Sequence, residues 1–209
     1  SRIMDFAIVF ATFAFENVLN RPVMKALPYG ISDFSRIKRE DYYYVDKTRF
    51  IEMLERQPPY LFLIRPRRFG KSLFLAMLET YYSIDYADSF EELFRGLYIG
   101  QHPTALHNKY LILRFNFSEV NSKLENVEQA FSEYCSSIII RFVKKYESIL
   151  GSEIWDELNA SLTSPGQLLS TLGRYASDKG GIRIYLMIDE YDNFTNTILS
   201  SHGQAQIVT

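Results

Sequence analysis

Many dedicated binding chemistries need residues that are scarce in this chain. Its 209 residues include one cysteine and three histidines, which excludes an internal disulfide and leaves little for a structural zinc site. Cys135 stands among residues of helical period with no histidine nearby, so it reads as a packed thiol rather than a nucleophile. His102 and His107 flank Pro103, His202 stands alone, and no cysteine or carboxylate pair completes a ligand set, so all three read as surface histidines. Charge of one sign is missing too. Lys and Arg total 23 against 25 Asp and Glu, giving a net charge of -2, which excludes a whole-chain electrostatic footprint for nucleic acid and leaves only local basic runs, Arg36 to Arg39 and Arg65 to Arg68. No stretch reaches the roughly 18 apolar residues of a membrane span. Phe6 to Phe15 comes nearest, but only Arg2 precedes it and no small-residue cleavage pattern follows, so the expectation is a cytoplasmic protein with no membrane partner.

Apolar bulk, by contrast, is plentiful: 47% of residues are hydrophobic and 15% aromatic, enough for one substantial core. Residues 1–23 are apolar, lack an initial methionine and end in Asn20-Arg21-Pro22. They read either as an N-terminal extension ahead of Met24 or as a genuine first helix, with the main domain over 24–209. Pro28 to Tyr44 reads as a loop-rich lead. Asp46 reads as the N-cap of a helix that turns Phe50, Ile51 and Leu54 inward and stops before Pro58-Pro59.

Tyr60 to Ile64 is a continuous apolar run of the kind a fully buried parallel strand shows. Ser72 to Leu78, apolar on nearly every side, reads as a helix packed on a sheet. Tyr110 to Phe117 alternates Leu111, Leu113, Phe115 and Phe117 with Arg114 and Asn116, a strand with one wet face or an edge position. Val127, Phe131, Tyr134, Ile138 and Phe142 mark an amphipathic helix from about Glu125 to Ser148. A short helix with Trp155 and Leu158 follows. Ser164-Pro165-Gly166-Gln167 is a capping box opening a helix that Gly180-Gly181 ends. Ile182 to Ile188 reads as a buried strand finishing in Asp189-Glu190. Strands separated by helices predict an α/β domain with a parallel sheet and right-handed crossovers.

The segment Arg65-Pro66-Arg67-Arg68-Phe69-Gly70-Lys71-Ser72 sets Gly-Lys-Ser between the first strand candidate and the apolar helix, where a phosphate-binding loop belongs. Backbone N–H groups and the positive helix end converge there on phosphate, a lysine reaches the outer phosphates and a hydroxyl ligates magnesium. The pattern G-x-x-x-x-G-K-[ST] wants glycine at position 65, and Arg65 stands there. Gly-Lys-Ser alone is a weak signal. Its order after a strand and before a helix, with a later strand ending in two carboxylates, turns it into a site expectation. Gly70 permits close approach to phosphate, Lys71 neutralises the β- and γ-oxygens, Ser72 and Asp189 hold magnesium, and Glu190 serves as general base on water. The plainer alternative for Asp189-Glu190 is a solvated strand end, with Asp192 capping a helix through Phe194. Arg65, Arg67 and Arg68 suit added neutralisation of phosphate charge and equally suit contact with the fold's edge or a neighbouring chain.

Leu27-Pro28-Tyr29-Gly30-Ile31-Ser32-Asp33-Phe34, Tyr43-Tyr44-Val45-Asp46-Lys47-Thr48, the loop itself and Ile188-Asp189-Glu190-Tyr191-Asp192 resemble the AAA-ATPase-like family of bacterial predicted ATP-binding proteins, over about residues 24 to 200. The resemblance implies a sheet of the P-loop NTPase type flanked by helices. It also implies ATP and Mg2+ as cofactors, and an arginine-rich loop without the first glycine as the family's normal form. Members often carry a C-terminal nuclease-like domain of the PD-(D/E)XK type. This chain has none, so nucleic acid is expected as a partner only through that missing domain. ATPases of this class also set a strand with a polar sensor residue between the loop strand and the carboxylate strand. Gln206-Ile207-Val208 is the sole later candidate, so the resemblance implies a domain truncated at its C-terminal end.

The expected function is therefore ATP binding with Mg-dependent hydrolysis. Arg67, Arg68, Phe69, Gly70, Lys71, Ser72 and Leu73 form the nucleotide-binding set, Lys71 and Glu190 the catalytic pair, and Ser72 and Asp189 the metal ligands. The alternative is a non-hydrolysing, nucleotide-gated module regulating an attached nuclease or partner, and either reading is compatible with an oligomer. A kinase acting on a small substrate has no substrate motif in its favour.

Overall fold

The computed structural model describes residues 24–64, 69–120, 127–160 and 164–191. Within the loop-rich lead it contains a helix that hydrophobic period alone passes over. α1 (Phe34–Arg39) begins where Asp33 Oδ1 accepts the Arg36 N–H at 3.0 Å, and it buries Phe34 and Ile37. α2 (Phe50–Glu55) follows, but Arg49 rather than Asp46 occupies its N-cap position. Asp46 has a wider task. Its Oδ1 accepts the Thr48 N–H at 2.8 Å and the Thr48 hydroxyl at 2.7 Å, while its Oδ2 accepts the Tyr98 N–H at 2.8 Å. One carboxylate thus shapes the turn before α2 and pins it to a segment far along the chain.

α3 (Lys71–Tyr82) starts at Gly70, whose φ of 74° lies in the left-handed region that glycine adopts without strain. After a 3-10 turn (Ile84–Ser89), α4 (Phe90–Phe94) and α5 (Tyr98–Gln101) lead into β1 (Leu111–Asn116). α6 (Val127–Lys145), α7 (Glu147–Leu150), α8 (Ile154–Asn159) and α9 (Pro165–Lys179) then lead to β2 (Ile184–Asp189). The α9 start follows the capping box: Ser164 Oγ accepts the Gln167 N–H at 3.3 Å, and Pro165 takes the first turn.

β1 and β2 pair in parallel, from Leu111 opposite Ile184 to Asn116 opposite Asp189. Side-chain alternation divides the core in two. Ile112 and Met187 join Phe34, Phe74, Met77, Tyr81 and Phe94 on the α3 face. Leu111, Leu113 and Phe115 join Ile139, Phe142, Leu158 and Leu172, from α6, α8 and α9, on the other. Helices therefore cover both sides of a parallel sheet, the α/β arrangement that the strand and helix order predicts.

Several boundaries and exposures differ from expectation. Tyr60 to Ile64 is not in a strand: Tyr60, Phe62 and Ile64 are more than four-fifths exposed, and Leu63 is the residue of this run that packs on the core. A strand needs a ladder partner, and the described sheet joins β2 to β1 alone. β1 has no wet face but does stand at an edge of the described two-stranded sheet, the other position its alternation allowed; Arg114 interrupts its apolar run, and its guanidinium is taken up by carboxylates. β2 is less buried than its composition suggests, with Leu186 and Ile188 about two-fifths exposed beyond the cover of α6 and α9. The long helix expected to Ser148 ends at Lys145, where Tyr146 leaves helical geometry (φ -107°, ψ 19°) and its hydroxyl donates to Asp85 Oδ2 at 2.6 Å. The start expected at Glu125 lies outside the described residues, as do residues 1–23 and Gln206-Ile207-Val208.

Candidate functional site

Parallel pairing and the packing of α3 on Ile112 and Met187 bring the start of α3 to the C-terminal end of β2, the end of an open α/β sheet where ligands bind. Lys71 is the first residue of α3 and Asp189 the last of β2. Lys71 Nζ lies 3.5 Å from Asp189 Oδ1 and 3.7 Å from Glu190 Oε1. The same ammonium stands 5.7 Å from the centre of the Tyr191 ring, within cation–π range. Asp189 is 3% exposed and Glu190 one-third exposed, so one carboxylate is sealed into the fold while its neighbour opens to solvent.

Glu190 adopts φ 54°, a left-handed conformation for a residue with a side chain. Such a backbone costs about 1–2 kcal/mol and persists where surrounding contacts enforce it. Here the enforcing contact is local: the Glu190 N–H donates to Asp189 Oδ1 at 3.0 Å. The twist breaks the strand's alternation, which would set adjacent side chains on opposite faces, and leaves both carboxylates beside Lys71.

Arg114 completes the charge pattern. From β1 its Nη2 reaches Asp189 Oδ2 at 3.3 Å and its Nη1 reaches Glu79 Oε2, on α3, at 2.7 Å. Sequence reasoning passed over both Arg114 and Glu79. The available signal was a lone arginine inside an otherwise apolar strand, which demands a buried partner when both faces are covered.

The structure brings together Lys71, Asp189 and Glu190, three of the residues expected at the site, and places Ser72 beside Lys71 in the first turn of α3. Phe69 is mostly exposed, Gly70 supplies the left-handed turn into the helix, and Leu73 is half-buried against the core rather than open to a ligand. Arg65, Arg67, Arg68 and Asp192 lie outside the described residues. Among the described residues no group of three or more His, Cys, Asp or Glu forms a metal cage. Magnesium is commonly held through one or two protein ligands plus phosphate and water. The buried Asp189 carboxylate and the Ser72 hydroxyl, next to Lys71 in sequence, are the residues that could serve as such ligands.

Among the described residues, Cys135, His102 and His107 have their own surroundings; His202 lies outside the described residues. Cys135 is buried, and burial pushes its thiol up to about 11, far from a nucleophile's range. His102 is exposed and stacks on Tyr98, as expected of a surface histidine, whereas His107 is half-buried with Nδ1 2.7 Å from Thr104 O. No helix among the described residues is long and apolar enough to cross a membrane.

A family model described as a predicted AAA-ATPase matches residues 28–209. An uncharacterized protein in the vnfD 5' region of Azotobacter chroococcum mcd 1 is 34% identical over 169 residues, a match covering 80% of this chain and 29% of that protein. The chain thus spans under a third of that relative's length. No solved structure matches. With most of its length matched, and with Lys71 set against Asp189 and Glu190, the chain belongs to the predicted AAA-ATPase family and shares that family's coarse character as ATPase-like and nucleotide-binding.

Proposed function

We propose that this domain binds ATP with Mg2+ and hydrolyses it. The observation that carries the reading is the meeting of Lys71 with Asp189 and Glu190, at 3.5 and 3.7 Å, where α3 begins and β2 ends. Lys71 is the group that would leave its carboxylates for the outer phosphates, since an ammonium is a mobile point charge on a flexible stem. Gly70 admits close backbone approach, and the start of α3 offers oriented N–H dipoles to an anion. Asp189 and Ser72 would hold Mg2+, which when bound neutralises charge developing on the transferred phosphoryl group.

Glu190 is the general base in this reading. It is the more solvent-accessible carboxylate, and its left-handed backbone breaks the strand's alternation beside Lys71, where a water could reach it. Strain of this kind concentrates at functional positions, which supports the assignment. Arg67 and Arg68 are proposed as additional phosphate contacts on sequence grounds alone. Nucleic acid, through a nuclease-like domain of the kind the family resemblance implies, and an oligomer are proposed for the whole protein.

The test is steady-state turnover of ATP by the full-length protein with and without Glu190→Gln. The reading expects a loss of about 100-fold or more in kcat, the scale of a removed general base, with ATP binding retained. Binding without turnover in the unaltered protein would replace it by a nucleotide-gated regulatory module.

A further inference from the structure

Lys71, Asp189, Arg114 and Glu79 form a chain of three ion pairs that ties α3 to both strands. Lys71 and Glu79 lie on α3, Arg114 in the middle of β1 and Asp189 at the end of β2. Along the chain, Lys71 Nζ meets Asp189 Oδ1 at 3.5 Å, Arg114 Nη2 meets Asp189 Oδ2 at 3.3 Å, and Arg114 Nη1 meets Glu79 Oε2 at 2.7 Å. The two cations address different oxygens of the same buried carboxylate.

They also differ in freedom. Lys71 is a single mobile charge, which the proposed function sends to phosphate. Arg114 is a planar fork whose second arm is anchored on Glu79 at a shorter distance than its first arm reaches Asp189. When Lys71 departs, the 3%-exposed Asp189 would be left buried with one cation fewer, and an unpaired buried charge is costly. Arg114 is placed to remain.

We propose that Arg114 is a positioning residue for Mg2+ binding: anchored by Glu79, it holds Asp189 through Oδ2, apart from Oδ1, which faces Lys71 and accepts the Glu190 N–H. In this role it would act through Asp189 and not as a ligand itself. This inference rests on the ATP reading above and adds to it a residue that acts through Asp189.

The experiment measures binding of a non-hydrolysable ATP analogue to the full-length protein by calorimetry across a Mg2+ titration and in the absence of metal. Substituting a group that orients a metal ligand typically weakens metal binding by about 10- to 100-fold, so Arg114→Ala is expected to raise the Mg2+ concentration for half-maximal enhancement by about that factor while metal-free binding is unchanged. Glu79→Gln, which loosens the anchor and leaves Arg114 in place, shifts the requirement the same way by less. Arg114→Lys restores part of the loss. If Arg114→Ala does not fold, Glu79→Gln and Arg114→Lys carry the comparison. An unshifted Mg2+ requirement in these variants, or an equal fall in metal-free and metal-supported binding, overturns the role of Arg114 and leaves the ATP reading standing. An unaltered protein that binds no analogue at any Mg2+ concentration overturns both.

Discussion

The Lys71 ammonium stands 3.5 Å from Asp189 Oδ1, so the first residue of a helix and the last residue of a strand neutralise each other across the end of the sheet. A buried ion pair of this kind largely offsets its own desolvation and adds little net stability. In the proposed function its value lies in what the lysine can exchange it for. A phosphate arriving at the start of α3 offers Lys71 a more highly charged partner at small structural cost.

Removing the lysine should therefore be mild for the fold. Loss of one partner of a buried pair usually costs about 3–5 kcal/mol because the other charge is stranded, but Arg114 still faces Asp189 Oδ2 at 3.3 Å. Lys71→Ala is expected to lower the unfolding free energy by about 1–2 kcal/mol, less than a stranded buried charge would. Urea denaturation checks this, and a larger loss would show that Arg114 does not compensate.

Gly70 separates backbone conformation from packing. A Cβ there would meet nothing within 4 Å, yet φ is +74°. Gly70→Ala should cost about 1–2 kcal/mol from left-handed strain. Its effect on nucleotide binding should exceed that on stability, because the backbone N–H groups at the helix start are re-aimed. Paired denaturation and ATP-binding measurements on the variant test the split.

Acid sensitivity should be traceable to Asp46. Burial alone would push its carboxyl up, but hydrogen bonds from the Tyr98 N–H, the Thr48 hydroxyl and the Thr48 N–H outweigh this and hold it below its ordinary 3.8. Asp33 and Asp85 move the same way, against burial, through the Arg36 N–H and the Lys145 ammonium respectively. A folded-state value below the unfolded one means the folded protein binds fewer protons in that window. Stability is then fully present above the unfolded value and is lost as pH falls through about 4 toward the lower folded value. Asp46→Asn is expected to flatten this acid limb and, by loosening the Thr48 turn and the start of α5, to cost about 1 kcal/mol at neutral pH, the scale of a lost cap. Urea unfolding between about pH 2.5 and 6 reads both effects.

Much of the site was legible in the sequence because it depends on local order. Gly70-Lys71-Ser72 before an apolar helix and Asp189-Glu190 after an apolar strand are contiguous signals, and the parallel pairing that joins them follows from helices between strands. Arg114 was not legible, because a charge in a strand reads as a wet face until the partners across the sheet are known. Tyr60 to Ile64 shows the reverse failure: an apolar run predicts a buried strand, but burial depends on a neighbour in the ladder that local sequence does not contain. Asp46 shows how a carboxylate with cap-like spacing can be drawn away by a donor as distant in sequence as Tyr98.

The central claim is that Lys71, Asp189 and Glu190 form a nucleotide site, and equilibrium binding tests it most directly. Fluorescent ATP titrated into full-length protein with Mg2+ should give saturable binding that Lys71→Ala weakens by about 100-fold, the loss of roughly 2.7 kcal/mol expected when a charge-assisted phosphate contact is removed. Equal affinity in the unaltered protein and in Lys71→Ala, with both folded by denaturation, would contradict the account.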